Sequence, residues 1–195
     1  FFSFFTTVST HGPYSESNER FSEYYDRFDV NYENFCNYAL ESDLGYILPE
    51  VGTSEYEVLK EYKSKAMALD NAIGVILDYL NTQTDENGEK LIDNTTIILF
   101  ADHNAYYQDL SYTFKNVEKY ANENTAYRVP FAISSSALPV GENDVFCNTY
   151  DIYPTICDLF GFSYNKNLTH GYSIFSDEIG NSMFLSSLSG IFDEN

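Results

Sequence analysis

Three side chains in this sequence combine chemically capable types with positions where a chain can present them. They are His11, within Thr10-His11-Gly12-Pro13-Tyr14, and the adjacent pair Asp102-His103, which Asn104 follows. A carboxylate and an imidazole side by side at a strand end can reach one cation as the backbone turns away. Their mixed oxygen and nitrogen donors suit Mn²⁺, Zn²⁺ or Mg²⁺ better than Ca²⁺, which prefers oxygen alone. A bound ion of this kind offsets charge on a reacting ester and lowers the pKa of a hydroxyl attached to it. An Asp-His dipeptide is by itself a common loop pair, so its weight depends on the elements that present it.

Both sites follow apolar runs. Residues 1–9 (FFSFFTTVS) are aromatic and β-branched and end in Gly12-Pro13, which predicts a buried strand feeding a loop. Thr95–Ala101 is a second, nearly continuous apolar strand, of the kind found in parallel sheets covered on both faces. Val129–Ser134 is a third and shorter strand, with Pro130 at its start or on an edge. Residues 12–50 are rich in Tyr, Asn, Ser and Glu with weak periodicity, and read as a loop with short helical turns. From Ser54, a suitable N-cap, to Asn81 the pattern is helical: Tyr56, Leu59, Tyr62, Ala66, Leu69, Ile73, Ile76, Leu77 and Leu80 recur at three- and four-residue steps. Asp85-Glu86-Asn87-Gly88 is a turn whose acidic spacing does not fit an EF-hand. Residues 102–127 form a polar, Tyr-rich excursion. Thr149–Gly161 reads as a helix with Pro154 in its first turn and Gly161 as its C-terminal cap. Residues 162–195 carry Gly-punctuated short strands and turns. This order predicts an α/β fold with a mainly parallel sheet and helices on both faces. In such sheets ligands gather beyond the carboxyl ends of the strands, where His11 and Asp102-His103 stand.

Composition narrows the classes. The 195 residues suffice for one domain with a sizeable core. Thirty acidic against ten basic side chains give a formal net charge of −20, which excludes a basic nucleic-acid footprint. The acidity reads as solubility, with cation attraction near a metal site as the functional alternative. Cys36, Cys147 and Cys157 form no CxxC, so neither a zinc ribbon nor a thioredoxin-like motif is supported. Cys157 lies in an apolar helical stretch and reads as a small core residue, while pairing of Cys36 with Cys147 stays open. No apolar run approaches the roughly 18–20 residues that span a bilayer, and no secretory signal is present. The opening Phe1-Phe2-Ser3-Phe4-Phe5 reads as a core strand cut from its context. Asn94-Thr95-Thr96 and Asn167-Leu168-Thr169 match glycosylation sequons, a pattern short enough to arise by chance.

The run from Phe5 through His11-Gly12-Pro13-Tyr14, the helix after it, and Asp93 through Ala101-Asp102-His103 resembles the sulfatase family of the alkaline phosphatase superfamily in order and spacing. Arg128-Val129-Pro130-Phe131, Tyr150-Asp151-Ile152-Tyr153-Pro154-Thr155 and Gly171-Tyr172-Ser173-Ile174-Phe175 are similar to its downstream signatures. His-Gly-Pro-Tyr and Asp-His-Asn-Ala-Tyr-Tyr look closest to lipoteichoic-acid synthases and phosphoglycerol transferases. Asn104 departs from the glycine that commonly follows Asp-His in sulfatases, which favours that transferase branch.

The resemblance implies that residues 1–195 are the C-terminal part of a sulfatase-type catalytic domain with an alkaline-phosphatase-like fold. The N-terminal part, with the nucleophile and another acidic metal ligand, would precede residue 1, so the chain alone is expected to be inactive. Asp102 and His103 match two metal ligands, with Mn²⁺ the first expectation and Zn²⁺, Mg²⁺ or Ca²⁺ as alternatives. His11 matches the histidine that contacts the phosphoryl group or leaving oxygen, and Asn104 would join it in binding substrate. Thr6, Thr7 and Thr10 read as strand and pocket residues rather than nucleophiles, Arg128 as a structural ion-pair or strand-end residue, Asp151 as a helix cap, and His170 as a surface or loop residue. The implied reaction is transfer or hydrolysis of a phosphoester through a covalent intermediate, on a phosphoglycerol lipid headgroup at the extracellular face of the cytoplasmic membrane. The alternatives are a sulfatase or phosphodiesterase acting on a soluble ester, and a non-catalytic remnant that binds partners through a Tyr-rich surface.

Overall fold

The computed structural model describes residues 1–14, 18–41, 48–105, 107, 110, 114, 128–177, 182–185 and 190–193, divided into two compact units, Phe1–Leu138 and Pro139–Asn195. Most of the predicted 102–127 excursion lies outside the described residues.

In the first unit, α1 (Ser22–Glu41) and α2 (Ser54–Thr82) supply most of the core. The α1 helix replaces the loop expected over 12–50. Its stripe is Phe28, Tyr32 and Phe35 at steps of four and three, and a stripe made of aromatics with polar tips hides helical periodicity. Phe28 and Tyr32 are buried against Tyr56 of α2, with ring centroids 5.6 and 4.9 Å away. Fully burying a side chain of this size contributes about 1.5–3 kcal/mol. At the helix–helix seam, Asp29 accepts from the Tyr56 hydroxyl and the Lys60 ammonium, each at 2.6 Å. Leu59, Tyr14, Leu110 and Phe114 complete the core.

The α2 helix spans the predicted segment, with its N-cap one residue earlier: the Thr53 hydroxyl accepts from Tyr56 N–H at 3.2 Å. Its expected apolar face is only partly used, since Ile76 is exposed whereas Glu61 and Ser64 are buried. The helix ends at Gln83. The Asp85 turn follows, with the Asp85 carboxylate accepting from the N–H groups of Asn87 (2.8 Å) and Glu89 (3.0 Å).

Strands β1 (Ile97–Phe100) and β2 (Phe131–Ser134) fall where expected, with Pro130 just before β2. They pair antiparallel, from Ile97 opposite Ser134 to Phe100 opposite Phe131. Every ladder among the described residues is antiparallel, so the α/β elements are present without the expected parallel pairing. The predicted first strand also differs. Residues 1–8 form no regular element and join no ladder, and Phe1, Phe2, Phe4, Phe5 and Val8 are exposed. Apolar, β-branched sequence reports the environment a segment suits; a strand also needs a neighbour offering N–H and C=O groups. Contact with β1 comes through the Phe4 ring, 6.3 Å from that of Phe100.

The second unit is built on α3 (Thr149–Phe160). Asn148 is its N-cap, and Asp151 closes a capping box by accepting from Asn148 N–H at 2.7 Å. Gly161 ends the helix at φ +66°, the left-handed conformation that a Cβ disfavours. Pro154 is the sixth helical residue rather than a first-turn residue. Lacking an N–H, it cannot bond the Tyr150 carbonyl one turn back. The backbone at Gly171 packs against that same carbonyl, where a Cβ would overlap it and lie 2.7 Å from Asp151 N. The Asp151 carboxylate also accepts from Tyr172 N–H (2.8 Å), and the fully buried Thr155 hydroxyl accepts from Ile174 N–H (3.1 Å). Cys157 is buried, as expected of a core residue, and all three cysteines are free. Strands β3 (Ser182–Leu185) and β4 (Gly190–Asp193) form an antiparallel pair in the predicted tail.

Candidate active site

The turn after residues 1–9 and the segment after β1 come together in the first unit. The imidazoles of His11 and His103 lie edge to face, with centroids 6.4 Å apart. Asp102 Oδ2 is 3.6 Å from His103 Nε2, and Asp102 Oδ1 accepts from His103 N–H at 3.1 Å. Both groups are open to solvent, the Asp102 side chain at 82% and that of His103 at 43% exposure, so an ion or ester could reach them.

Backbone carbonyls set the tautomer of each ring. His103 Nδ1 is 2.8 Å from the Asn104 carbonyl oxygen, and His11 Nδ1 is 2.7 Å from the Gly12 carbonyl oxygen. A carbonyl only accepts, so Nδ1 carries the hydrogen in both neutral rings and Nε2 carries the lone pair. At His103 that lone pair faces the Asp102 carboxylate. With a protonated ring the 3.6 Å contact is an ion pair; with a neutral ring it sets two acceptors side by side, an arrangement that a cation between them stabilises. Two donors each about 2.1 Å from one ion lie roughly 3.4 Å apart at the tetrahedral angle of Zn²⁺ and roughly 3.0 Å apart at the right angle of an octahedral Mn²⁺ or Mg²⁺, so a small inward movement would bring the pair onto either ion. The pair therefore fits as two ligands of a divalent ion, with the outer nitrogen of the histidine fixed by a backbone acceptor, as is usual for metal-bound imidazoles. Among the described residues no cluster of three His, Cys, Asp or Glu side chains could hold an ion.

Sequence reasoning missed the residues that hold the two loops together. The Tyr107 ring lies 5.2 Å from that of His11 and 6.4 Å from that of Tyr14. Gly12 is the seat for this ring: a Cβ there would overlap the ring and come within 2.8 Å of Tyr107 Cβ. The signal was present in the glycine beside His11 and the tyrosine after Asp102-His103-Asn104, but only tertiary contact connects them. Asn104 lies beside the pair, half-buried, and its carbonyl orients His103. In the second unit, His170 is exposed with its ring 6.2 Å from that of Tyr150, and Asp151 spends its carboxylate on backbone N–H groups, which settles it as a capping residue.

The family model for sulfatases matches residues 1–162. The chain belongs to the sulfatase family. Its fold class is thereby the alkaline-phosphatase-like α/β fold, and the chemistry of sulfatase-family proteins is hydrolysis or transfer of sulfate or phosphate esters, generally with a divalent metal. No curated protein and no solved structure matches the chain. Among the described residues, no helix of this sulfatase-family chain is long and apolar enough to cross a membrane.

Proposed function

We propose that this chain contributes part of the active site of a metal-dependent phosphoester transferase or hydrolase whose substrate is a phosphoglycerol headgroup. The observation that carries the reading is the meeting of His11 with Asp102-His103, both rings presenting Nε2 with Nδ1 committed to a carbonyl. Asp102 and His103 would hold one divalent ion, with Mn²⁺ the first choice on the resemblance to the transferase branch and Zn²⁺, Mg²⁺ and Ca²⁺ as competitors. Such an ion supplies charge neutralisation on the transferring group and activation of the attacking hydroxyl. His11 Nε2 accepts a proton from an attacking hydroxyl or, once protonated, gives one to the leaving oxygen. The Asn104 amide binds substrate oxygen beside the pair. On this reading the nucleophile that forms the covalent intermediate comes from outside this sequence, and at least one further ligand comes from outside the described residues, because catalytic ions usually hold three protein ligands. Asn104, in place of the glycine usual in sulfatases, supports a phosphoglycerol donor over a sulfate ester. Such a donor is met at the extracellular face of a cytoplasmic membrane.

The test is Mn²⁺ binding to the purified chain, followed by water-proton relaxation. One ion per chain is expected, with affinity falling at least about tenfold in His103→Ala and in Asp102→Asn. Equal binding by all three proteins would show that the pair holds no ion and would leave a non-catalytic member of the fold as the better account. Faster cleavage of an aryl sulfate than of a glycerophosphodiester by the full-length protein would instead move the reading to a sulfatase.

A further inference from the structure

The α2 helix places a lysine against the main chain of the His11 turn. Lys65 Nζ donates to the carbonyl oxygens of His11 (3.3 Å) and Pro13 (3.4 Å), the two that flank Gly12. It lies 3.2 Å from Glu61 Oε1, an ion pair by distance rather than an aligned hydrogen bond, and 5.3 Å above the Tyr14 ring. The other Glu61 oxygen accepts from the Tyr25 hydroxyl, which itself accepts from Asn18 N–H at 2.9 Å. One polar chain thus runs from the entry to α1, through α1 and α2, to the main chain that carries His11.

Burial shows what this chain is for. The Lys65 and Glu61 side chains are only 12% and 6% exposed. Taking both charges out of water costs several kcal/mol per ion, and an apolar pair of equal volume is often as stable. A lysine at this position of α2 would ordinarily keep its ammonium in water. Here the ammonium is turned inward onto two carbonyls of a segment far away in sequence, which defines a geometry at an energetic cost. We infer that Lys65 is a positioning residue: with Glu61 holding its ammonium, it fixes the His11–Pro13 backbone and so the aim of the His11 imidazole toward the Asp102-His103 pair. The inference rests on the proposed role of that pair, yet its structural half can be read independently.

The experiment compares Lys65→Met with Lys65→Arg in the full chain, using two readouts. The first is the His11 ring carbon–proton signal in NMR, with His170 in the second unit as an internal reference. Lys65→Met should move or broaden the His11 signal, leave His170 in place, and be reversed toward wild type by Lys65→Arg, whose guanidinium can span both carbonyls. The second is affinity for inorganic phosphate at saturating Mn²⁺, expected to weaken roughly ten- to hundredfold in Lys65→Met, since small misplacements of a reacting group carry penalties of that size. A folded Lys65→Met whose His11 signal matches wild type overturns the inference, as does a Lys65→Arg that behaves like Lys65→Met. Should Lys65→Met fail to fold, Glu61→Gln keeps the lysine but loosens its hold, and the same His11 signal decides. If wild type binds neither Mn²⁺ nor phosphate, the proposed function fails while the NMR comparison still judges Lys65.

Discussion

Gly12 shows how narrowly the site is specified at the level of single atoms. Its missing side chain is the space in which the Tyr107 ring sits, and Tyr107 packs against both His11 and Tyr14. Gly12→Ala should therefore push Tyr107 off its seat. Overpacking of this kind costs about 1–3 kcal/mol, readable as a lowered midpoint in urea unfolding. An unchanged midpoint would mean that the ring finds another place without loss. The candidate residues His11 and Asp102-His103 were legible as departures, because they interrupt apolar runs with side chains that neither a strand nor a simple turn calls for. Lys65 and Tyr107 were not. A lysine in a helix and a tyrosine in a Tyr-rich stretch are ordinary until tertiary contacts reveal one ammonium on the carbonyls of the His11 turn and one ring against its glycine.

Between elements, the α1–α2 seam carries a titratable clamp. Burial pushes the Asp29 carboxyl up, but the hydrogen bonds from Lys60 and Tyr56 and the charge of Lys60 outweigh it, so its pKa falls below the ordinary 3.8. A carboxyl depressed in the folded state stabilises above its unfolded pKa, and that contribution is lost as pH falls through the folded value. Wild type should thus melt higher than Asp29→Asn at about pH 6, and the gap should narrow as pH falls through and below the ordinary carboxylate range. A gap that stays constant across that range would assign the clamp no ionic component. The α1 helix was the element least visible beforehand, since its stripe is drawn in Phe and Tyr and its turns are crowded with Asn, Glu and Ser. The α3 helix was the most visible, closed by Gly161, whereas its N-cap Asn148 emerged only from the structure. Pro154 was misplaced within it because a proline inside a helix is tolerable only when the carbonyl it abandons is dealt with elsewhere. At Tyr150 the close approach of Gly171, which no local pattern encodes, occupies that place.

Across the whole molecule, charge is the feature read most directly. A net charge of −20 on 195 residues sets like charges against each other in the folded state, and added salt screens them. Raising NaCl from about 20 to 300 mM should raise the melting temperature of the chain; a fall would show that its few ion pairs matter more than the general repulsion. The parallel sheet was not borne out among the described residues, because strand direction is decided by which strands meet and not by the composition of any one of them. Residues 1–8, which pair with no strand, make the same point and carry a practical cost. Five water-averse side chains stand bare at one end of a polyanion, so what keeps neighbouring copies apart in solution is mutual repulsion rather than a wettable surface. The ionic strength that firms each molecule also lowers the barrier between molecules, and the phenyl rings at this end are where two of them would first stick.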